Sequence, residues 1–101
     1  VFTALDERGR RIPGSGYAPN RHDVLTGSRP DGTAYPPGED MTCNNWTSSS
    51  NDSNATLGHA DRLGRNPGVN SWNAIHPSQG CSMESLAATG GAGMFYCFAT
   101  N

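Results

Sequence analysis

The three cysteines constrain this chain most, because they lie in two short stretches that also carry much of its apolar character. Residues 41–47 hold Cys43 beside a tryptophan, and residues 80–99 hold Cys81, Cys97 and the longest apolar run. We expect the two stretches to meet in space. An odd number of cysteines leaves one thiol over when the others pair, either free or joined to a partner. In a reducing compartment all three would instead be buried thiols.

The composition explains why a covalent cross-link would help this chain to fold. Its 101 residues make one domain at most. Hydrophobic residues are 34% of the chain, while 13 glycines and 7 prolines favour turns over long elements. A domain of this size buries only about 60–70% of the surface that its unfolded chain exposes. We therefore expect an oxidising compartment, with the protein secreted or periplasmic.

The charge pattern excludes several classes of partner. The formal net charge is -2, and all seven cationic residues are arginines that form no basic run. Nucleic acids and acidic membrane surfaces are therefore not expected partners. No stretch approaches the about 18 apolar residues of a membrane span. The use of arginine without lysine is typical of a GC-rich genome and favours a bacterial source.

Glycine and proline divide the chain into short elements, so no long helix is predicted. The apolar run at 94–99 predicts a central strand buried on both faces, preceded by a turn or bulge at 90–93. Trp72 is predicted to be a buried anchor of the core. The other predicted elements are a strand at 23–27, a turn at 28–32, a strand at 42–48 and one or two helical turns within 81–89 with Leu86 inward.

A series of glycine, cysteine and aromatic anchors follows a fixed order along residues 20–99. These anchors are Val24, Gly27, Ser28, Pro30 and Gly32, then Cys43, Trp46 and Thr47, then Gly80 and Cys81, then Tyr96, Cys97 and Phe98. The pattern resembles the C-terminal half of the endostatin (collagen NC10) domain, and more closely bacterial secreted proteins that share it. The resemblance implies an α+β, C-type-lectin-like fold with a small antiparallel sheet, long loops and little helix.

The resemblance also implies a pattern of cysteine pairing. In that family the cysteine before the tryptophan pairs with the cysteine before the last strand, which corresponds to Cys43 with Cys81. The cysteine that corresponds to Cys97 pairs with one in an N-terminal helical half, which these 101 residues do not match. We therefore expect residues 1–101 to form a single domain that lacks this half. Cys97 would be free or linked to a separate N-terminal fragment.

The polar residues within 48–70 form the candidate binding surface, since long loops on a fixed scaffold are often functional. The candidate ligand-binding residues are Asn51, Asp52, Asn54, His59 and Asp61. The sequence predicts a secreted, non-enzymatic module that recognises a protein or a glycan through this face. The alternative is a structural or accessory subunit docked on a larger extracellular or periplasmic assembly.

Catalytic and cofactor chemistry is not predicted. No nucleophile motif or paired carboxylates are evident, so we do not expect an enzyme. We predict no cofactor, with two metal sites as alternatives: zinc or copper through His59 and His76, or calcium through oxygen ligands of residues 52–61. Trp46 and Trp72 are expected to pack in the core, and stacking of an exposed tryptophan on a sugar is the alternative.

Overall fold

The computed structural model describes residues 4–14, 16–61 and 72–100. These residues form a small α+β domain with little helix, as the sequence predicts. In chain order the elements are β1 (Asp23–Leu25), α1 (Cys43–Trp46), β2 (Thr56–His59), β3 (His76–Pro77), α2 (Met83–Ala88) and β4 (Gly91–Phe95). Neither helix in the described ranges has the length and apolar character that a membrane crossing requires.

The four strands form one mixed sheet in the order β3-β2-β1-β4. Strand β1 is antiparallel to β2, and β2 is antiparallel to β3. Strand β4 is parallel to β1, so the prediction of a wholly antiparallel sheet is wrong. Parallel neighbours need a long crossover connection, and here the chain returns through β2, β3 and α2 before it pairs with β1. The predicted strand at 23–27 is confirmed as β1.

The last strand differs from its prediction in position and in burial. It begins at Gly91 and lies at an edge of the sheet, and Phe95 and Phe98 are 56% and 68% exposed. An apolar run predicts a strand buried on both faces, but a strand at the edge of a sheet has a neighbour on one side only, so its side chains are less covered. The predicted irregularity at 90–93 is confirmed, because Asp23 pairs with Gly91 whereas Val24 pairs with Met94. Ala92 and Gly93 are thus the extra residues of a bulge.

The predicted strand at 42–48 is wrong, because this segment forms the single turn α1 with left-handed backbone. Its four residues have φ between 50° and 65°. Two of them are asparagines, which tolerate this conformation better than most residues. The Asp40 carboxylate accepts the Asn44 amide hydrogen at 2.9 Å, and the Thr42 hydroxyl accepts that of Asn45 at 3.0 Å. These local hydrogen bonds satisfy backbone groups that a strand would pair with a neighbour.

The core lies between the sheet, α1 and α2, and a disulfide runs through it. Cys43 and Cys81 are bonded and both are buried, which confirms the pairing that the resemblance implies. Helix α2 begins at the Ser82 cap, whose hydroxyl accepts the Ser85 amide hydrogen, and it buries Leu86 as predicted. The buried core cluster consists of Leu25, Cys43, Ala55, Leu57, Cys81 and Leu86.

Candidate functional site

The residues proposed as one binding face differ in their burial and in their contacts. Strand β2 interrupts the 48–70 segment, and Leu57 at its centre is buried in the core. His59 is only 6% exposed, whereas Asp52 lies in the solvent. Residues 62–70 of the predicted face lie outside the described residues. The sequence did not predict β2, because most residues around it are polar. The strand is nevertheless buried and lies inside the sheet.

Asn51, a predicted contact, is bound to the rest of the domain. Its side-chain oxygen accepts hydrogen bonds from the Ser85 hydroxyl at 2.8 Å and from the Ser82 amide at 3.3 Å. It thereby ties the loop before β2 to the first turn of α2. Asn54 is half-buried, and its carbonyl accepts the amide hydrogen of Cys43. Of the proposed contacts outside the sheet, Asp52 is thus the most open to a ligand.

A different candidate surface is an aromatic groove. We use this name for the surface formed by Trp46, Trp72, Phe95, Tyr96 and Phe98. Trp46 is 41% exposed and Trp72 is 51% exposed, so the prediction that both pack in the core is wrong. The chain places its smaller aliphatic residues in the core and leaves its largest rings at the surface.

The aromatic rings are held in a fixed arrangement by contact with one another. Trp46 and Phe95 meet edge to face, with ring centroids 5.1 Å apart. Trp72 meets Tyr96 at 5.4 Å and Phe98 at 6.0 Å in the same manner. The Tyr96 hydroxyl also donates a hydrogen bond to the Trp72 carbonyl at 2.8 Å. Edge-to-face pairs favour defined ring positions, so the groove is a shaped surface.

Polar groups line the floor of the groove, which has a volume of about 360 Å³. Asn73 is buried there, and its amide donates to the Ser28 hydroxyl at 3.2 Å and to the Arg29 carbonyl at 3.2 Å. The Thr26 hydroxyl donates to the Asn73 carbonyl. Among the described residues, no aspartate, glutamate, histidine or arginine side chain lines this groove. Its chemistry is that of aromatic rings beside neutral polar groups.

Among the described residues that line the groove, the one titratable side chain, Tyr96, is kept neutral. Burial, with a smaller effect from the negative charge of Asp61, raises the pKa of Tyr96 to about 12. Both effects disfavour the phenolate. The groove is therefore uncharged over the whole range of pH in which proteins normally work.

A second polar site surrounds Asp23, which lies on β1 at the centre of the sheet. All three histidines of the chain converge on its Oδ1 atom. Their Nε2 atoms lie 2.8 Å away for His59, 3.4 Å for His22 and 3.6 Å for His76. The rings of His22 and His59 are stacked with centroids 3.8 Å apart. Sequence reasoning considered His59 and His76 together, but it missed Asp23 and His22.

Strand pairing creates this cluster. Asp23 pairs directly with His59 across β1 and β2, and His76 pairs with Leu57 on the far side of β2. Desolvation by burial alone would raise the pKa of Asp23, but the close contact with His59, the hydrogen bond from Thr89 and the nearby His76 lower it overall. Asp23 is thus an ionised carboxylate inside the domain. The only sign of this cluster in the sequence was that His22 and Asp23 are adjacent.

Comparison of the chain with protein-family models, with curated proteins and with solved structures gives no match. The geometry of the aromatic groove and of the Asp23 cluster therefore carries the functional argument.

Proposed function

We propose that this chain is a secreted, non-enzymatic binding module with a C-type-lectin-like fold, and that it recognises a glycan in the aromatic groove. The observation that carries the proposal is the exposure of four large rings, Trp46, Trp72, Phe95 and Phe98, around a neutral polar floor. Exposed aromatic patches on small domains commonly mark recognition surfaces.

The chemistry of a sugar matches this surface in two ways. A pyranose ring has an apolar face of C–H groups, which an aromatic ring covers well, and a rim of hydroxyl groups that need neutral donors and acceptors. Thr26 and Ser28 offer hydroxyl oxygens with remaining lone pairs at the floor of the groove. A mostly apolar concave site with a few polar groups that fix orientation is the usual form of a small-ligand site.

The absence of charge along the described lining argues for a neutral ligand. A charged peptide or a phosphate would lose its hydration in this groove without gaining a partner of opposite sign. A neutral oligosaccharide has no such penalty. The polar residues first proposed as contacts fit a ligand less well, because Asn51 is bonded to α2 and His59 is buried.

Binding to a panel of neutral oligosaccharides tests this proposal. Calorimetry and tryptophan fluorescence would be measured for the wild-type chain, for Trp72→Ala and for Phe98→Ala. We expect binding to be at least roughly tenfold weaker in both variants, because each variant loses one ring that stacks on the sugar. Leu5→Ala is the matched control, since Leu5 is as exposed as these rings but lies outside the groove. A panel without any bound sugar, or equal affinities in all variants, would contradict the proposal.

A second function, as an accessory subunit, is favoured by a different observation. Cys97 is a free, exposed thiol that lies two residues beyond the edge strand β4. An edge strand presents unpaired backbone groups to another polypeptide, and an adjacent thiol can form a mixed disulfide with it in an oxidising compartment. Intact mass of protein isolated from its host under non-reducing conditions would reveal such a partner. A monomer whose Cys97 is fully alkylated would argue against this function.

A further inference from the structure

We propose that Asp23, His22, His59 and His76 bind one divalent transition-metal ion of the zinc type, and that this ion joins the strands of the sheet. The inference does not depend on the function of the aromatic groove. It follows from the positions of the four side chains, from a buried oxygen without a hydrogen bond, and from the tautomers that their other contacts impose.

The four candidate ligands come from three neighbouring strands. His22 immediately precedes β1, Asp23 begins β1, His59 ends β2, and His76 begins β3. His22, Asp23 and His59 each present a ligand atom within 4.8 Å of the other two. His76 is not a member of this mutually close group. Its Nε2 atom lies 3.1 Å from that of His59 and 3.6 Å from Oδ1 of Asp23, so it would reach the ion from the His59 side. One ion beside Asp23 and His59 would therefore cross-link three consecutive strands.

The Asp23 carboxylate provides the strongest sign that something is bound. Its side chain has no solvent exposure, and its Oδ2 atom accepts a hydrogen bond from the Thr89 hydroxyl at 2.6 Å. Oδ1 faces the three histidines, and the closest, Nε2 of His59, is 2.8 Å away. The direction of that contact does not make it a hydrogen bond, and Oδ1 accepts none from the other described residues. A buried carboxylate oxygen normally has a hydrogen bond, a counter-charge or a metal. A cation coordinated by Oδ1 satisfies this requirement.

The other ring nitrogens of two histidines point to the same conclusion. Nδ1 of His22 lies 3.0 Å from a carboxylate oxygen of Asp61, and Nδ1 of His76 lies 2.9 Å from the Pro77 carbonyl. Both oxygens are acceptors, so each Nδ1 carries the proton. In the neutral imidazole the Nε2 atom then has a lone pair, and it faces the Asp23 cluster. Carboxylates and carbonyls that hold ligating histidines in this manner are the usual outer partners of a metal site.

The donor set selects the class of metal. Imidazole nitrogen with one carboxylate oxygen suits zinc and neighbouring transition metals, whereas calcium and magnesium prefer oxygen ligands. Zinc bonds of about 2.0–2.1 Å place tetrahedral ligand atoms roughly 3.3–3.4 Å apart. The separations of 2.8, 3.1, 3.4 and 3.6 Å between atoms of this cluster surround that value. Cys97, the free thiol of the chain, lies beyond β4 and is not a member of the cluster.

Zinc binding by the full chain tests the proposal. Protein stripped with a chelator would be titrated with zinc chloride by calorimetry, and its melting temperature would be followed with and without zinc. We expect one zinc per chain and a higher melting temperature, because an ion that binds only the folded state stabilises it. Calcium chloride should give neither effect. Cobalt substituted for zinc should give the visible spectrum of a tetrahedral site with nitrogen and oxygen ligands and without sulfur.

Variants assign the ligands. His76→Ala is the first choice, because one third of that side chain is exposed and its loss should leave the fold intact. We expect it and His59→Ala to lose stoichiometric zinc, and Asp61→Asn to weaken affinity by roughly 10–100-fold as an outer partner of His22. Cys97→Ser is the matched control and should bind zinc like the wild type. No zinc binding by the wild type, unchanged affinity in His76→Ala, or lost binding in Cys97→Ser would each overturn the site.

Discussion

A Cβ atom built on Gly58 would lie 1.8 Å from the carbonyl oxygen of Trp72. Gly58 is buried on β2 opposite Val24, so the backbone that carries Trp72 lies directly against the central strands of the sheet. The same carbonyl accepts the Tyr96 hydroxyl. Because Gly58 has no side chain, the backbone of Trp72, which lines the aromatic groove, can pack against β2.

Replacing Gly58 by alanine should destabilise the domain and disturb the groove. The added methyl group requires a shift of backbone, and we expect a loss of about 3 kcal/mol or more in the free energy of unfolding. Urea denaturation followed by tryptophan fluorescence measures it. Gly9→Ala is the control, since its added Cβ meets nothing within 4 Å and only its φ of 76° is unfavourable. Equal losses in the two variants would show that the Trp72 contact is not the cause.

Removal of the Cys43–Cys81 disulfide should weaken the fold strongly. The bond closes a loop with a sequence separation of 38 residues. On the chain-entropy model such a loop contributes about 4 kcal/mol through the unfolded state. The double variant Cys43→Ser, Cys81→Ser should therefore unfold at much lower urea concentration, whereas Cys97→Ser should differ little from the wild type. Matching midpoints for the double variant and Cys97→Ser would refute the expectation.

Asn51 should matter for stability, although its sequence context predicts a ligand contact. Asn51→Ala removes the acceptor of the Ser85 hydroxyl and the Ser82 amide, and we expect it to cost about 1–2 kcal/mol. Asp52→Ala, one position later in the solvent, should change stability by less than about 0.5 kcal/mol. Thermal unfolding of both variants measures the difference. If Asp52→Ala proved the more damaging of the two, Asn51 would not be the residue that ties this loop to α2.

Alkaline pH should destabilise the domain through Tyr96. Its pKa is about 12 in the folded state and about 10 in an unfolded chain. Below pH about 10 the phenol is neutral in both states, so the full stability is present. As pH rises toward 12 the unfolded state loses this proton first, so stability decreases. Tyr96→Phe should show a shallower decrease over this range, and parallel curves for the two proteins would contradict the assigned pKa.

Several features could be predicted from local sequence because short-range chemistry decides them. The strand at β1, the helical turns of α2 with buried Leu86, and the irregularity at residues 90–93 belong to this group. The Cys43–Cys81 pairing was predicted correctly from the resemblance. The left-handed turn of α1 was missed, because its hydrogen bonds to Asp40 and Thr42 outweigh a pattern that otherwise resembles a strand.

The candidate sites depended on contacts between residues far apart in the chain. Trp46 and Phe95 are 49 positions apart, and no local pattern records their contact or the edge position of β4, which carries Phe95. His22, His59 and His76 are scattered singly in the sequence, and only the pairing of β2 with β1 on one side and with β3 on the other brings them to Asp23. Residue type specified turns, caps and apolar segments, because those depend on near neighbours. Strand order decided which side chains meet, because that depends on the packing of the whole sheet.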